Sequence, residues 1–137
     1  MKKLILAFFF FTNFGCFYNP TGPAQTELGK EFELRYGQKA VIGTENLYIT
    51  FEDVVEDSRC PIGYQCVWAG NGAVLLKIGM LNSNALTDTV NTTLEPQNLY
   101  YHMYNITLKG LKPYPVADSV IKKKDYIVTL LVGKIIR

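Results

Sequence analysis

The chain has 137 residues, of which 48% are apolar, and it carries 14 lysines and arginines against 12 acidic residues. Two of the lysines, Lys2 and Lys3, belong to the leader described below, and without them twelve basic residues face twelve acidic ones. This balance argues against nucleic-acid binding, which needs a basic surface that releases counterions from the phosphates. We expect no nucleic-acid partner, and the basic run at residues 122–124 is typical of a solvated loop.

The first fifteen residues have the pattern of a signal peptide. Lys2 and Lys3 precede an apolar run at residues 4–11, and small and polar residues follow, which is the usual order of regions in an export signal. A helix that spans a membrane needs about 20 apolar residues, but this run ends at Thr12. The sequence therefore predicts a signal peptide at residues 1–15 and an exported mature protein.

The end of the leader indicates how the protein is held after export. Residues Asn13-Phe14-Gly15-Cys16 resemble a bacterial lipobox, in which a small residue precedes a cysteine that is acylated and becomes the new N-terminus. The resemblance implies lipidation of Cys16, contact with a membrane through that lipid, and a place in the bacterial cell envelope. Cleavage after Gly22-Pro23-Ala24, which has small residues at both key positions, is the alternative and would give a secreted protein.

The cysteine count supports the same interpretation. The chain has three cysteines, Cys16, Cys60 and Cys66, and an odd thiol in an exported protein needs an explanation, which acylation of Cys16 supplies. Cys60 and Cys66 then form a disulfide by default in an oxidising compartment, and so short a loop gives roughly 2 kcal/mol of stability. A metal site is disfavoured because C-x5-C is not a common zinc spacing and the chain has one histidine.

The mature chain divides into a tether and one domain. Residues 16–27 include Pro20, Gly22 and Pro23 and show no sustained period, so we predict a short irregular linker. The remaining residues, 28–137, suffice for one hydrophobic core and are too few for two.

Through this domain the apolar residues recur with a period of two, which is typical of β-strands. The clearest rows lie at residues 31–36, 47–52, 74–80, 104–108 and 126–132, with weaker candidates at 39–42 and 85–94. Six or seven short strands with turn clusters between them predict an all-β fold, an antiparallel sandwich of immunoglobulin-like size. A small β-barrel is the alternative, because strand patterns do not distinguish one closed sheet from two stacked ones.

One segment, residues 57–70, has a more specific pattern and reads DSRCPIGYQCVWAG. This D-S-R-C-P-x4-C-x-W-x-G run resembles a signature of short secreted proteins and lipoproteins of Bacteroidota whose function is uncharacterised. Residues 112–115, Ile121 and residues 125–130 resemble the closing part of the same family. The resemblance covers most of residues 28–133 and implies a shared β-rich fold and an envelope location, but no activity.

Two side chains of this signature segment have predictable environments. Arg59 follows the carboxylates of residues 52–57, so we expect an ion pair or hydrogen bonds from its guanidinium to the loop. If the strand continues back through residues 70–72 with a bulge, Trp68 lies on the same face of the strand as the apolar row at residues 74–78. This parity predicts a core tryptophan that covers the disulfide, which makes the signature a scaffold motif. The alternative is a binding site with an exposed tryptophan.

The sequence predicts no enzyme, no metal and no cofactor. Catalysis needs an activated nucleophile, a metal or an acid–base pair. The three cysteines are already assigned to the lipid anchor and the disulfide, and His102 is the one histidine, in a tyrosine-rich strand predicted at residues 99–104. The carboxylates of residues 52–57 lack the ligand spacing and turn glycine of a calcium loop. We interpret them as a solvated acidic edge.

Tyrosine is the abundant side chain that suggests recognition, since it combines wide contact area with a polar group, although it also packs well in strands. The candidate binding residues are the late group Tyr100, Tyr101, Tyr104 and Tyr114. The hypothesis from sequence is a non-catalytic envelope module that presents a binding surface to a protein or glycan partner. The alternative is a small-ligand carrier with a β-barrel interior.

Overall fold

A computed structural model describes residues 22–136 and arranges them in two packed β-sheets. Within this range no helix has the length and apolar character needed to cross a membrane. A single 3₁₀ turn lies at Lys123–Asp125. The strands are β1 Ala24–Thr26, β2 Glu31–Arg35, β3 Lys39–Ile42, β4 Leu47–Asp57, β5 Gly72–Met80, β6 Leu86–Asn91, β7 Asn98–Tyr101, β8 Tyr104–Lys112 and β9 Ile127–Lys134.

The strands form a sandwich. One sheet has the order β1-β3-β4-β5-β6 and the other the order β2-β9-β8-β7, and every neighbouring pair is antiparallel except β1 with β3. The two sheets do not close into a barrel. The predicted sandwich is therefore confirmed and the barrel is not formed. The described residues form nine strands, where the sequence predicted six or seven.

The core fills the space between the two sheets. Alternation places every second side chain inward, and the inward rows of β4, β5, β8 and β9 coincide with the apolar rows of the sequence. The largest fully buried side chains include Phe51, Leu34, Ile49, Leu76, Ile78, Ile106 and Leu130. Burying one such side chain contributes about 1.5–3 kcal/mol, so these rows fix which face of each strand points inward.

Two segments differ from their predicted structure. Residues 24–26, assigned to the linker, form β1 and pair with β3 from Ala24 opposite Ala40. A three-residue strand is too short to show a period, and only its partner defines it. The strand predicted at residues 99–104 is two strands, β7 and β8, joined by a turn at His102 and Met103. His102 has a φ of 54°, and the turn lacks the glycine that commonly marks such a position.

β4 is longer than its apolar row, because it continues to Asp57. Its pairing with β5 shifts register between Phe51 and Asp53 and again between Val54 and Glu56. Each bulge adds a residue to one strand, so the strict alternation that marks a strand in the sequence is lost beyond residue 52.

The two ends of the sandwich differ in their connections. At one end β4, β6 and β8 finish, and the loops are residues 58–71, 92–97 and 113–126; we call this the signature end, and residues 58–71 the signature loop. At the opposite end lie the turns at residues 43–46, 81–85 and 102–103 and the C-terminal residues 135–136. The predicted signal peptide and Cys16 lie outside the described residues.

Candidate functional site

A buried ion pair links the signature loop to the other sheet. Arg59 is 6% exposed, and its Nε and Nη2 donate hydrogen bonds to the two carboxylate oxygens of Asp57, each at 2.7 Å. Its Nη1 also donates to the carbonyl oxygen of Leu111 at 2.6 Å, and its Nη2 to that of Pro113 at 2.9 Å. The ion pair expected for Arg59 is confirmed. The acidic edge, however, is not solvated at Asp57.

Tyr126 completes this cluster and donates its hydroxyl hydrogen to Oδ2 of Asp57 at 2.8 Å. Burial alone would raise the pKa of Asp57, but the hydrogen bonds from Arg59 and Tyr126 outweigh it and hold that pKa below its usual range. Burial and the hydrogen bond to Asp57 raise the pKa of Tyr126 to about 12. At neutral pH Asp57 is therefore a carboxylate and Tyr126 a neutral phenol, and we call the group Asp57, Arg59 and Tyr126 the clamp.

The base of the signature loop is closed by backbone contacts. The amide of Ser58 donates to the carbonyl oxygen of Asn71 at 2.7 Å, and the amide of Cys60 to that of Ala69 at 3.1 Å. Gly70 has a φ of +72°, and a Cβ there would lie 1.8 Å from the carbonyl oxygen of Ser58. This glycine is required by both the conformation and the close approach.

Asn71 ties the same loop to the neighbouring loop of residues 92–97. Its side chain is buried, and Oδ1 accepts hydrogen bonds from the amides of Thr93 at 3.2 Å and Leu94 at 3.4 Å. Its Nδ2 donates to Oδ1 of Asn91 at 2.9 Å. A buried amide that satisfies other polar groups in this way fixes the position of both loops.

The far part of the loop is held by a disulfide and by the chain at residues 113–120. The predicted Cys60–Cys66 disulfide is confirmed, with the two Cα atoms 5.9 Å apart. Ile62 forms a parallel bridge with Val116. The hydroxyl of Tyr64 donates to Oδ1 of Asp118 at 2.9 Å. The signature loop and the loop at residues 113–126 are therefore joined to each other.

Trp68 does not lie in the core, and the prediction that it covers the disulfide is wrong. Its side chain is 80% exposed, and that of Val67 is 89% exposed. The parity argument assumed a strand through residues 70–72, but β5 begins at Gly72 and the turn at Gly70 and buried Asn71 redirects the chain before it. The alternation of side chains between the two faces of a strand does not continue through a loop.

The result is an exposed apolar surface on two rigid loops. Its members are large apolar side chains that the clamp, the disulfide and the parallel bridge hold in place without covering them. We call this surface the signature tip; it consists of Ile62, Tyr64, Val67, Trp68, Val116 and Val120. Large exposed apolar side chains on neighbouring loops are typical of interaction sites, so the tip is the first candidate functional surface.

A second group of exposed apolar side chains lies at the opposite end. The amide of Ile135 donates to the carbonyl oxygen of Met103 at 2.7 Å, and Oγ of Ser83 lies 3.2 Å from Nε2 of His102. These contacts bring the turn at residues 102–103 next to the C-terminal residues and to the turn at residues 81–85. The large exposed side chains there are Leu81, Met103, Ile135 and Ile136, and we call them, with Tyr100, the opposite-end surface.

The structure does not bring the four candidate tyrosines to one surface. Tyr101 and Tyr104 are 6% and 3% exposed, and their hydroxyls donate internally, to Asn84 and to Glu45. Tyr100 is 63% exposed and belongs to the opposite-end surface, whereas Tyr114 lies at the signature end. The length of β8, about 23 Å of strand, separates them. Packing in strands explains the two buried tyrosines.

The side chains considered for chemistry are engaged in the fold. His102 lies in a turn, against Tyr101 with ring centroids 4.5 Å apart. Asp53 accepts a hydrogen bond from Lys123 at 2.6 Å. Among residues 22–136 no group of three His, Cys, Asp or Glu side chains is placed to hold a metal ion.

Two depressions of the described surface are open to solvent. One of about 510 Å³ lies between β1, β2 and the turn at residues 43–46. The other, of about 280 Å³, lies beside the signature tip and is lined by the Asp57, Arg59 and Tyr126 clamp together with Pro61, Pro115 and Val120. Neither one is an interior cavity of the sandwich.

Comparison with known proteins gave no match to a protein-family model, to a curated protein or to a solved structure. The two exposed surfaces are therefore the features of the molecule that indicate its function.

Proposed function

We propose that this protein is a non-catalytic module of the bacterial cell envelope, held at a membrane by a lipid on Cys16, that presents a binding surface to a protein or glycan partner. One observation carries the proposal: a rigid sandwich leaves large apolar side chains exposed at both of its ends. Such surfaces are typical of interaction sites. The lipobox and the signature segment support the envelope location.

The opposite-end surface is the one that we assign to the partner. Tyr100 offers an exposed aromatic ring with a polar hydroxyl, and Met103, Leu81 and Ile136 are exposed at the same end of the sandwich. Aromatic residues and methionine are enriched at recognition surfaces, and tyrosine buries a large area at little entropic cost. The surface is built on short turns, so it is presented without a large rearrangement.

The lack of catalysis is supported by what the reactive side chains do. Cys60 and Cys66 are joined, and the Asp57 carboxylate is neutralised by Arg59. His102 contacts a serine hydroxyl but faces no carboxylate within hydrogen-bonding distance in the described part of the chain. A nucleophile activated by a base that is itself oriented is the usual requirement, and this contact does not meet it.

The carrier alternative depended on a barrel interior. The two sheets form a sandwich whose inward positions are filled by large side chains such as Phe51 and Leu76. Native interiors of this kind pack densely and leave little empty volume. The geometry therefore favours a surface function over an enclosed ligand.

The anchor is tested by the fate of Cys16. The wild-type protein should fractionate with membranes and carry an acylated N-terminal cysteine by mass spectrometry, and Cys16→Ala should be released or remain unprocessed. A mature N-terminus at Gln25 without an acyl chain would contradict the lipoprotein proposal.

The partner surface is tested by photo-crosslinking in intact cells of the source bacterium. A photoreactive residue at Tyr100 or Met103 should give one discrete adduct, and the same residue at Glu52 or Lys109, both exposed but away from the opposite-end surface, should not. Protein sequence or carbohydrate in the adduct identifies the partner class. Equal labelling at all four positions would argue against a specific surface.

A further inference from the structure

The signature tip has the composition of a membrane-contacting loop. Val67, Trp68 and Val120 are the most exposed side chains of the tip, at 89%, 80% and 89%. Aliphatic side chains at a loop tip bury well among acyl chains, and tryptophan favours the boundary between acyl chains and headgroups. The disulfide closes the signature loop just before Val67, and Arg59 bonds to Pro113 in the loop that carries Val120, so the backbone of both loops is held before the tip is buried.

The charges near the tip are compatible with a bilayer surface. Lys122 and Lys124 are exposed on the loop that carries Val120 and make no ion pair among residues 22–136. Lysine stems can lie along apolar surface while their ammonium groups stay among the headgroups. Asp118 and Asp125 lie in the same loop and balance the two lysines. Burial of apolar side chains, rather than net charge, is therefore the main driving force.

The direction of β1 indicates from which end the described chain starts. β1 runs parallel to β3 and antiparallel to β4, so Ala24 is the residue of β1 nearest to the signature end. Cys16 is eight residues from Ala24, which gives a reach of at most about 28 Å. Ala24 is level with Ile49, which pairs with Ile78 of β5, and β5 reaches Gly72, opposite Asp57, in six residues or about 20 Å. The tether is thus long enough to bring the lipid to the base of the signature loop.

We propose that the signature tip rests in the interfacial region of the bilayer that holds the lipid, as a second contact that orients the domain. The assignment rests on the proposed anchor at Cys16. In this orientation the opposite-end surface faces away from the membrane, where a partner can reach it. A lipid on a tether fixes only the distance to the membrane, whereas a lipid together with an inserted tip fixes the orientation as well.

The protein supplies its own probe, because Trp68 is the only tryptophan in the chain. The acylated protein, purified from membranes, is reconstituted in vesicles of phosphatidylethanolamine and phosphatidylglycerol. We expect blue-shifted Trp68 emission, protection from iodide, and strong quenching when the acyl chains carry bromine.

Two double variants localise the effect without changing Trp68. Val67→Ser/Val120→Ser should reduce bromolipid quenching about fivefold or more, because interfacial insertion scales with buried apolar area. Leu81→Ser/Ile136→Ser, which removes two similarly exposed side chains from the opposite end, should leave quenching unchanged.

Full access of iodide to Trp68 on vesicles would overturn the proposal. So would protection of Trp68 that appears only when a protein partner is added, because the tip would then be a protein interface. Failure of the anchor is recognised separately by the mass of the N-terminal residue. If that mass shows no lipid, flotation of the mature protein with the same vesicles still tests the tip.

Discussion

The two ends of the sandwich are built by different means. The signature end holds two long loops with a disulfide, a buried ion pair, a glycine at positive φ and a buried asparagine. The opposite end uses short turns and an ion pair between Glu45 and Lys134 at 3.1 Å, with the lysine 41% exposed. Long loops are uncommon in compact domains unless they serve a function. Buried polar contacts are concentrated at the end that carries exposed Trp68. We expect this of a loop whose backbone is fixed so that its exposed side chains can contact a partner.

The largest difference between the ends should appear when the clamp is removed. Arg59→Ala leaves the Asp57 carboxylate buried without its partner and two carbonyl oxygens without a donor, and breaking a buried pair in this way costs about 3–5 kcal/mol. Lys134→Ala, at the exposed pair of the opposite end, should cost about 0–1 kcal/mol. Urea unfolding of both variants measures the two values. Similar costs would mean that the two ends do not differ in this way.

The disulfide should come next in size. Replacing both cysteines, Cys60→Ser/Cys66→Ser, should lower the free energy of unfolding by roughly 2 kcal/mol, because the loop is short, while the β-type circular dichroism spectrum is retained. Amide hydrogen exchange should quicken at Ile62 and Ala117, whose amides bond between the two loops. Exchange at Ile135 should not change. Faster exchange at both ends would show that the disulfide stabilises the whole fold.

Acid should weaken the signature end through Asp57. Its pKa is lowered in the folded protein, so its contribution is complete above the unfolded value of about 4 and is lost as the pH falls from there through the folded value. Wild-type stability should therefore decrease below about pH 4. Asp57→Asn should be less stable at pH 6 and should depend less on pH. The difference between the two profiles isolates Asp57 from Glu27, Glu33 and Glu45, whose pKa values are also lowered.

The smallest effect on stability is expected for Trp68, the tryptophan of the signature segment. Trp68→Ala should change the free energy of unfolding by no more than about 0.5 kcal/mol, as substitutions at exposed positions usually do. Phe51→Ala, which truncates a fully buried aromatic ring, should cost about 3–5 kcal/mol. Thermal melts of the two variants provide the comparison. A large loss at Trp68 would restore the interpretation of the signature as a scaffold motif.

Much of the scaffold could be predicted from the sequence, because it depends on residues that are close together in the chain. Period-two rows identified the strands because a buried sheet face selects apolar residues at alternate positions. The Cys60–Cys66 pair and the hydrogen bonds between Arg59 and Asp57 join neighbours, so composition and spacing were enough to expect them. β1 and the turn at His102 were missed because a three-residue strand and a turn without glycine have no pattern of their own.

Only the tertiary structure decided which aromatic side chains are exposed. Tyr101 and Tyr104 are buried because their strands face the core, whereas the same residue type at Tyr100 faces solvent. Trp68 is exposed because Gly70 and Asn71 redirect the chain, and because Ile62 and Tyr64 bond to residues some 54 positions away. The periodicity of a sequence reports the two faces of a single strand. The course of a loop depends on distant partners, and the signature tip is therefore visible only in the fold.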